Sequence, residues 1–366
     1  MKQEKALRTA IIGMGYWGAK LLRNFKNANN FTVKYLVDSR QEALDGFEFS
    51  NPEIIMATNM DEVLADSSLD CVAIASPPKT HFDIAYKCLT AGKHVLIEKP
   101  FTASFEQAKV LVELSEKTGT KIMADFTFLY NGAMECIKNE VSKKSLGELL
   151  YIDSVRINLG IFQNDVNVVW DLACHDISIL NYLLEEIPYS VQAIGIDGLN
   201  NGIENVAYIY LKYNNRFAHI NCSWSSPVKI RTMLIGGSNG AILYNDIEPT
   251  DKIKVYDKGV VYTNDKMRES LLQDYRTGQV VIPKYDTTEP LSKVIDAFYE
   301  LIVHDQKSKS NSENVLLVMF ILEYIQKSIV SGGKEITINW EQAGPSLYSY
   351  ITSKGMLNER FAELMM

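Results

Sequence analysis

The chain has 366 residues, more than one compact core holds, so two domains are expected. With 46% hydrophobic and 22% charged residues it is composed like an ordinary globular protein, which excludes a disordered or fibrous chain. Its formal net charge of -8 would confine nucleic-acid binding to a local basic stripe; the basic runs are as short as Lys143-Lys144, so no nucleic-acid partner is expected.

In chain order, Met1 to Lys5 lead straight into a strand-like run, without the apolar stretch of a secretory leader. Arg8 to Ile12 is a short apolar strand, and Gly15 to Phe25 follows as a helix with Leu21, Leu22 and Phe25 on one face. Thr32 to Val37, Ile54 to Ala57, Cys71 to Ala75, His94 to Ile97 and Lys121 to Ala124 are further strands. Helices fit between them at Met60 to Ala65, His81 to Ala91 and Ser104 to Lys117. Gly92 stands where a helix C-cap belongs, and Ser104 with Gln107 forms a capping box. Short apolar strands alternating with helices predict a parallel, doubly wound sheet covered on both faces.

After Asp125 the rhythm changes. One helix is expected from about Val169 to Leu184, then strands at Tyr189 to Ile196, Val206 to Tyr213, Phe217 to Trp224 and Arg231 to Ile235. Ser238-Asn239-Gly240 signals a hairpin into Ala241 to Tyr244, and Ile253 to Tyr256 alternates as another strand. Helices at about Leu291 to His304 and Ser312 to Val330 close the chain. Consecutive strands with short turns predict a large, mostly antiparallel or mixed open sheet. An open sheet face calls for cover, and a homodimer or homotetramer supplies it. No segment reaches the roughly 20 apolar residues of a membrane span. The cysteines at 71, 88, 136, 174 and 222 show no paired spacing. They read as reduced thiols of a cytoplasmic protein with no metal site.

Residues 13 to 18 read Gly-Met-Gly-Tyr-Trp-Gly, directly after a strand and opening a helix. In such a turn Gly13 permits the bend, Gly15 lets the backbone approach a pyrophosphate, and Gly18 lets helix and strand pack closely. The helix N-terminus, at Tyr16 and Trp17, supplies free N–H groups and the positive end of its dipole. Asp38 ends the next strand, 25 residues past Gly13, where a carboxylate accepts from the adenosine ribose hydroxyls and repels a 2′-phosphate. NAD is therefore the expected cofactor; Arg40, placed to reach a phosphate, leaves NADP open. The division expected is a Rossmann dinucleotide-binding domain over 1–125 and an α+β catalytic, substrate and oligomerisation domain over 126–366.

Two further groups of residues carry chemistry. Ala75-Ser76-Pro77-Pro78 and Glu98-Lys99-Pro100 follow strands at their carboxyl ends, where open α/β sheets bind ligands. A lysine there donates to a hydroxyl or carbonyl and stabilises a developing alkoxide, although a solvated strand-end lysine reads the same way. Asp171 and His175 are four apart on the expected helix and share a face. A carboxylate beside an imidazole fixes its tautomer and raises its basicity, which suits general-base work on an alcohol; an ordinary helix pair has the same spacing. His81 reads as packing near the cofactor, and His94, His219 and His304 as structural. Tyr130, Arg156 and Asn158 are candidates for the substrate cleft, while Lys229 and Arg231 fit either a diphosphate or a solvated strand face.

The chain resembles the glucose-fructose oxidoreductase / inositol dehydrogenase (Gfo/Idh/MocA) family. The resemblance rests on Gly-Met-Gly-Tyr-Trp-Gly, on Ala-Ser-Pro-Pro-Lys-Thr-His at 75 to 81, on Ala-Gly-Lys-His-Val-Leu-Ile-Glu-Lys-Pro at 91 to 100, and on Trp-Asp-Leu-Ala-Cys-His-Asp at 170 to 176. It implies that Lys99 is the active-site lysine, that Asp171 and His175 complete the catalytic group, and that Glu98, Ser76 and Pro77 lie against the cofactor. It also implies a cis peptide at Lys99-Pro100.

Within the family the chain is most similar to the branch acting on nucleotide-linked amino sugars, such as UDP-N-acetylglucosamine 3-dehydrogenases. Phe126-Thr127-Phe128-Leu129-Tyr130-Asn131, Arg156-Ile157-Asn158-Leu159-Gly160 and Ser226-Pro227-Val228-Lys229-Ile230-Arg231 carry that similarity. Asp125 departs from it, standing where the branch has histidine; Cys174 and Ser178 are departures as well. The expected activity is hydride transfer between a sugar secondary alcohol and NAD(P). The alternatives are a dehydrogenase of a free polyol or inositol, a non-catalytic NAD(P)-binding regulator, and an enzyme that recycles a tightly held cofactor.

Overall fold

The computed structural model describes residues 6–48, 52–160, 162–261, 274–276 and 278–357; Met1 to Lys5 lie outside them. The chain forms two compact units, Met1–Tyr130 with Thr288–Phe320, and Asn131–Thr287 with Ile321–Met366. The sequence reading drew one boundary, at residue 125. Each unit instead takes two stretches of chain, because a late helix returns to the first sheet.

In the first unit, β1 (Leu7–Ile12), α1 (Tyr16–Asn27), β2 (Phe31–Val37), α2 (Gln41–Glu48), β3 (Ile55–Ala57), α3 (Asp61–Ala65), β4 (Cys71–Ile74), α4 (Pro78–Thr90), β5 (His94–Glu98), α5 (Phe105–Thr118) and β6 (Ile122–Asp125) alternate as expected. All six strands are parallel, in the order β3-β2-β1-β4-β5-β6. Every residue of β4 is buried, as a strand covered on both faces requires. The order reverses between β1 and β4, which opens a crevice at their carboxyl ends. Gly92 takes a φ of +72° after α4, and the Lys93 N–H reaches back to the Cys88 carbonyl at 2.9 Å, closing the helix. At α5, Ser104 Oγ accepts from the Gln107 N–H at 3.3 Å, while Gln107 Oε1 accepts from Ala103 rather than from Ser104 itself.

In the second unit, α6 (Gly132–Ser142), β7 (Leu149–Leu159), a π turn at Val169–Ala173, α7 (Cys174–Leu184), β8 (Ser190–Ile196), β9 (Val206–Lys212), β10 (Phe217–Ser223), β11 (Ser225–Gly237), β12 (Ala241–Asn245) and β13 (Ile253–Tyr256) lead to β14 (Gly259–Val261), β15 (Asp274–Arg276) and β16 (Val280–Val281). Helix α8 (Pro290–His304) belongs to the first unit: Phe298 stacks on Phe31 with ring centroids 6.4 Å apart. Helix α9 (Ser312–Val330), β17 (Ile336–Thr337) and α10 (Pro345–Ser353) follow. The nine-stranded sheet runs β16-β13-β12-β11-β7-β10-β9-β8-β17, with β7 and β10 parallel and the other pairs antiparallel. It is the mixed sheet expected. One face packs inward; the other exposes Ile194, Ile196, Tyr208, Tyr210 and Phe217, the surface on which the sequence reading set a homo-oligomer.

The sequence reading placed no strand over β7, which lies mid-sheet between β10 and β11. Its buried positions include Ser154 and Arg156, so the apolar alternation that marks a strand is broken. Arg156 was expected in a substrate cleft. It is instead committed to Asp176 of α7, with Nε donating to Oδ2 at 2.9 Å and Nη2 to Oδ1 at 3.1 Å, while Ser154 Oγ donates to Oδ1 at 2.8 Å. Both partners are buried, and this forked pair fastens α7 to the centre of the sheet. Replacing Asp176 with Ala strands a buried guanidinium; the variant should lose about 3–5 kcal/mol in urea unfolding, and a loss below ~1 kcal/mol would contradict that role.

Candidate active site

The glycine turn is built by packing at two of its three glycines. Gly13 has a φ of +93°, and a Cβ there would lie 2.5 Å from the Ser76 nitrogen. A Cβ on Gly18 would lie 2.0 Å from the Gly13 carbonyl oxygen, so α1 rests directly on the turn. At Gly15 a Cβ would meet nothing within 4 Å. Among the described residues that glycine has no packing reason, and it borders open space at the N-terminus of α1, where no described side chain caps the helix. Uncapped N–H groups and open space beside a bare backbone fit a dinucleotide pyrophosphate. Tyr16 and Trp17 are exposed there, with the Lys20 ammonium 4.3 and 4.6 Å from their rings.

Asp38 is buried at the end of β2. Its Oδ2 accepts the Met14 N–H at 2.9 Å, and its Oδ1 accepts both the backbone N–H of Arg40, at 3.0 Å, and that residue's Nε, at 3.1 Å. Burial pushes the carboxyl up, but the Arg40 side chain and the two backbone donors outweigh it and hold Asp38 below the ordinary carboxylate range. It is thus an ionised acceptor held by an exposed guanidinium clasp, and a ribose hydroxyl would share or displace that clasp.

At the ends of β4 and β5, Ser76 is half-buried, Pro77 exposed, and Lys99-Pro100 is a cis peptide. His81 was expected against the cofactor. Its ring is fully buried, with Nδ1 2.9 Å from the Pro100 carbonyl oxygen and Nε2 2.8 Å from that of Ser76. It ties together the two loops that carry Ser76 and Lys99. Lys99 is half-buried, and Glu98 is buried with Oε2 accepting the Lys99 backbone N–H at 3.3 Å. Tyr130, another cleft candidate, is also buried; Lys309 lies over its ring at 5.6 Å, and burial holds its hydroxyl above the ordinary value despite hydrogen bonds with Ser308 and Ser310.

In the second unit the expected single helix over 169–184 begins with the π turn, a local widening common at functional sites. Asn167 caps it, its Oδ1 accepting the N–H groups of Val169 at 3.1 Å and Trp170 at 3.2 Å. Asp171 lies in this turn, half-buried, and its Oδ2 accepts the Trp224 indole N–H at 2.9 Å. His175 follows on the first turn of α7, buried, and Cys174 beside it is fully buried. Asn158 is half-buried next to Trp224: a Cβ on Gly160 would lie 3.0 Å from Asn158 Nδ2 and 3.1 Å from Trp224 Cδ1. Lys229 is exposed, and Arg231 faces Asp246 at 3.7 Å.

Residues 7–126 match the family model described as oxidoreductase family, NAD-binding Rossmann fold, and residues 162–243 match the GFO/IDH/MocA C-terminal domain. The chain belongs to the Gfo/Idh/MocA oxidoreductase family. An uncharacterised oxidoreductase of Schizosaccharomyces pombe is 37% identical over 103 residues, 28% of each chain. A UDP-N-acetylglucosamine 3-dehydrogenase of Acidithiobacillus ferrooxidans is 24% identical over 212 residues, 57% of this chain and 64% of that one. A scyllo-inositol 2-dehydrogenase (NAD(+)) of Bacillus subtilis is 29% identical over 189 residues, 48% and 55% of the two chains. The chain spans 28% and 49% of the length of the first two curated relatives it matches. Among solved structures, that of GenD2 from gentamicin A biosynthesis in complex with NAD shares the fold, with a TM-score of 0.77 at 18% identity over 92% of this chain and 97% of that one.

In this Gfo/Idh/MocA chain the first unit is therefore an NAD-binding Rossmann domain. Among the described residues no cluster of three or more His, Cys, Asp or Glu could hold a metal, and no helix is long and apolar enough to cross a membrane. Sequence reasoning missed Trp224, whose partner Asp171 is 53 residues away, and Asn167, a local cap just before the turn that stands outside the motifs read. The glycine turn makes a test possible. Gly15→Ala should leave the unfolding midpoint near that of the parent protein and weaken NADH binding by about tenfold or more, ~1.4 kcal/mol, while Gly13→Ala should lower the midpoint itself. Fluorescence titration and thermal melts read both; unchanged NADH binding in Gly15→Ala would count against the turn as the pyrophosphate seat.

Proposed function

We propose that this protein is an NAD-dependent dehydrogenase that oxidises a secondary alcohol of a sugar, with a nucleotide-linked amino sugar as its substrate class. The observation that carries the reading is the Asp171 carboxylate, fixed by the Trp224 indole at 2.9 Å in the turn that leads into His175. A dinucleotide-binding regulator needs neither a fixed carboxylate leading into an imidazole nor the lysine retained at Lys99.

Bound at the glycine turn, NAD supplies the hydride acceptor. Every other task falls to the chain. His175 takes the hydroxyl proton as general base, and Asp171 orients it. Lys99 donates to the sugar oxygen and stabilises its developing charge. Glu98, Ser76 and Pro77 line the nicotinamide side, and Asn158, beside Trp224, faces the sugar. The ionised Asp38 accepts the ribose hydroxyls and disfavours a 2′-phosphate, so NAD is preferred to NADP.

The nucleotide-sugar assignment draws on the Acidithiobacillus relative and on the segments around Phe126, Arg156 and Ser226. The Bacillus relative favours a second reading, a free inositol or polyol. The test is the near-ultraviolet absorbance of NADH formed from NAD with a panel of UDP-amino sugars and free polyols. Turnover is expected with a UDP-amino sugar, and Lys99→Met should lower it by about 10²-fold or more with NADH affinity kept. Turnover of polyols alone selects the second reading. NAD binding without turnover of any alcohol, or full turnover in Lys99→Met, overturns the mechanism.

A further inference from the structure

Strands β5 and β6 run parallel and in register, with Glu98 opposite Asp125 at their last positions. Register partners in a sheet present their side chains on one face. Both carboxyls are buried, Glu98 at 5% exposure and Asp125 at 0%. One oxygen of each is accounted for: Glu98 Oε2 accepts the Lys99 N–H at 3.3 Å, and Asp125 Oδ1 accepts the Thr127 hydroxyl at 2.7 Å. The other two, Glu98 Oε1 and Asp125 Oδ2, are buried and find no donor among the described residues. Two ionised carboxylates cannot donate to each other, so both oxygens would stay unsatisfied beside a doubled negative charge. One proton held between them gives each oxygen a partner and halves the charge.

We infer that Glu98 and Asp125 form a proton-sharing carboxyl dyad with a single negative charge, and that this dyad positions the Lys99 ammonium. The role rests on the reading of Lys99 given above; the dyad itself does not. Burial first, and then the charge of Asp125, pushes Glu98 well above the ordinary carboxylate range. Burial pushes Asp125 up as well, against the Thr127 hydroxyl and the Lys99 charge. Both carboxyls are pushed up together, so the shared proton belongs to the pair. Lys99 at the end of β5 and Thr127 after β6 act on the pair directly; Tyr130, on the same turn, interacts with Asp125 and is itself met by Ser308, Ser310 and Lys309 from the segment before α9, where the Ala124 N–H meets the Ser310 carbonyl at 3.5 Å. The Lys99 charge acts on both carboxyls, so the single negative charge of the dyad pairs with that ammonium. A histidine at 125, as the resemblance anticipates, would donate to Glu98 and leave it ionised. The aspartate of this chain donates or accepts only through the shared proton.

The direct test is infrared spectroscopy of the full-length protein without cofactor, comparing the parent chain with Asp125→Asn, whose amide donates to Glu98 without a titrating proton. A protonated-carboxyl C=O band is expected at neutral pH in the parent and its loss in the variant. Thermal midpoints give a second reading. Both pKa values are raised on folding, so the dyad's contribution is complete below the ordinary carboxylate range and is lost as pH rises through the raised value. The parent midpoint should fall over that interval, and Asp125→Asn should flatten the fall. In turnover, the parent kcat should decline as the same proton leaves, with KM for NAD little changed, and Asp125→Asn should displace that limb. If Asp125→Asn does not fold, Glu98→Gln serves the same comparison. No carboxyl band in the parent at neutral pH, or an identical band and identical midpoint profile in the variant, overturns the dyad. A band that behaves as expected alongside turnover profiles that coincide overturns the positioning role. Absence of turnover with any alcohol would overturn the proposed reaction and would remove the positioning role with it, leaving the band and the midpoints to decide the dyad.

Discussion

The backbone of the glycine turn rests on the loop after β4, so closely that a Cβ on Gly13 would lie 2.5 Å from the Ser76 nitrogen. Much of the first unit's site follows from that approach. It occurs where the strand order reverses, so α1 starts at the crevice between β1 and β4. The Ser76 loop is bound in turn to the Lys99-Pro100 segment through the buried His81 ring. A series of short contacts thus runs from the candidate pyrophosphate seat to the candidate catalytic lysine, and a larger side chain at Gly13 would disturb it at its origin. His81 contributes by fixing loops, which is why a titratable group near a cofactor seat can be fully buried with both ring nitrogens against carbonyl oxygens.

In the second unit the corresponding constraint is electrostatic. The forked Arg156–Asp176 pair fastens α7 to the middle of the sheet. The π turn that precedes α7 is fixed separately, by the Asn167 cap at its start and by Trp224 on Asp171. His175 therefore stands on a helix held at both its sheet contact and its entry. Polar groups within the unit do this positioning, at the cost of burying a charge that only its partner makes tolerable.

The parts of this architecture that depend on near neighbours were legible in the sequence. The parallel strands read as apolar runs because they are covered on both faces, and the glycine turn declared itself by spacing, by the strand before it and by Asp38 after it. Lys99 was singled out by its place at a strand's carboxyl end and Asp171 and His175 by their helical spacing, and the resemblance gave them their catalytic roles. What escaped depends on distant partners. Strand β7 was hidden because its inward positions hold Ser154 and Arg156, and a buried arginine looks like a surface residue until Asp176 is known to face it. Tyr130 and Arg156, which stand in segments shared with the nucleotide-sugar branch, were assigned to a cleft, and both are buried. Trp224 and Asn167 have no motif, and the pairing of Glu98 with Asp125 needs the register of two strands. Asp125 was visible only as a departure from the family's pattern.

In the proposed reaction the hydrogen on the oxidised sugar carbon passes directly to the cofactor while a side chain takes the hydroxyl proton. Deuterium on that carbon of the sugar that turns over, followed by mass analysis of the NADH formed, tests this most directly. The account predicts one deuterium in each NADH. NADH that carries none, or no NADH from any sugar offered, would contradict it.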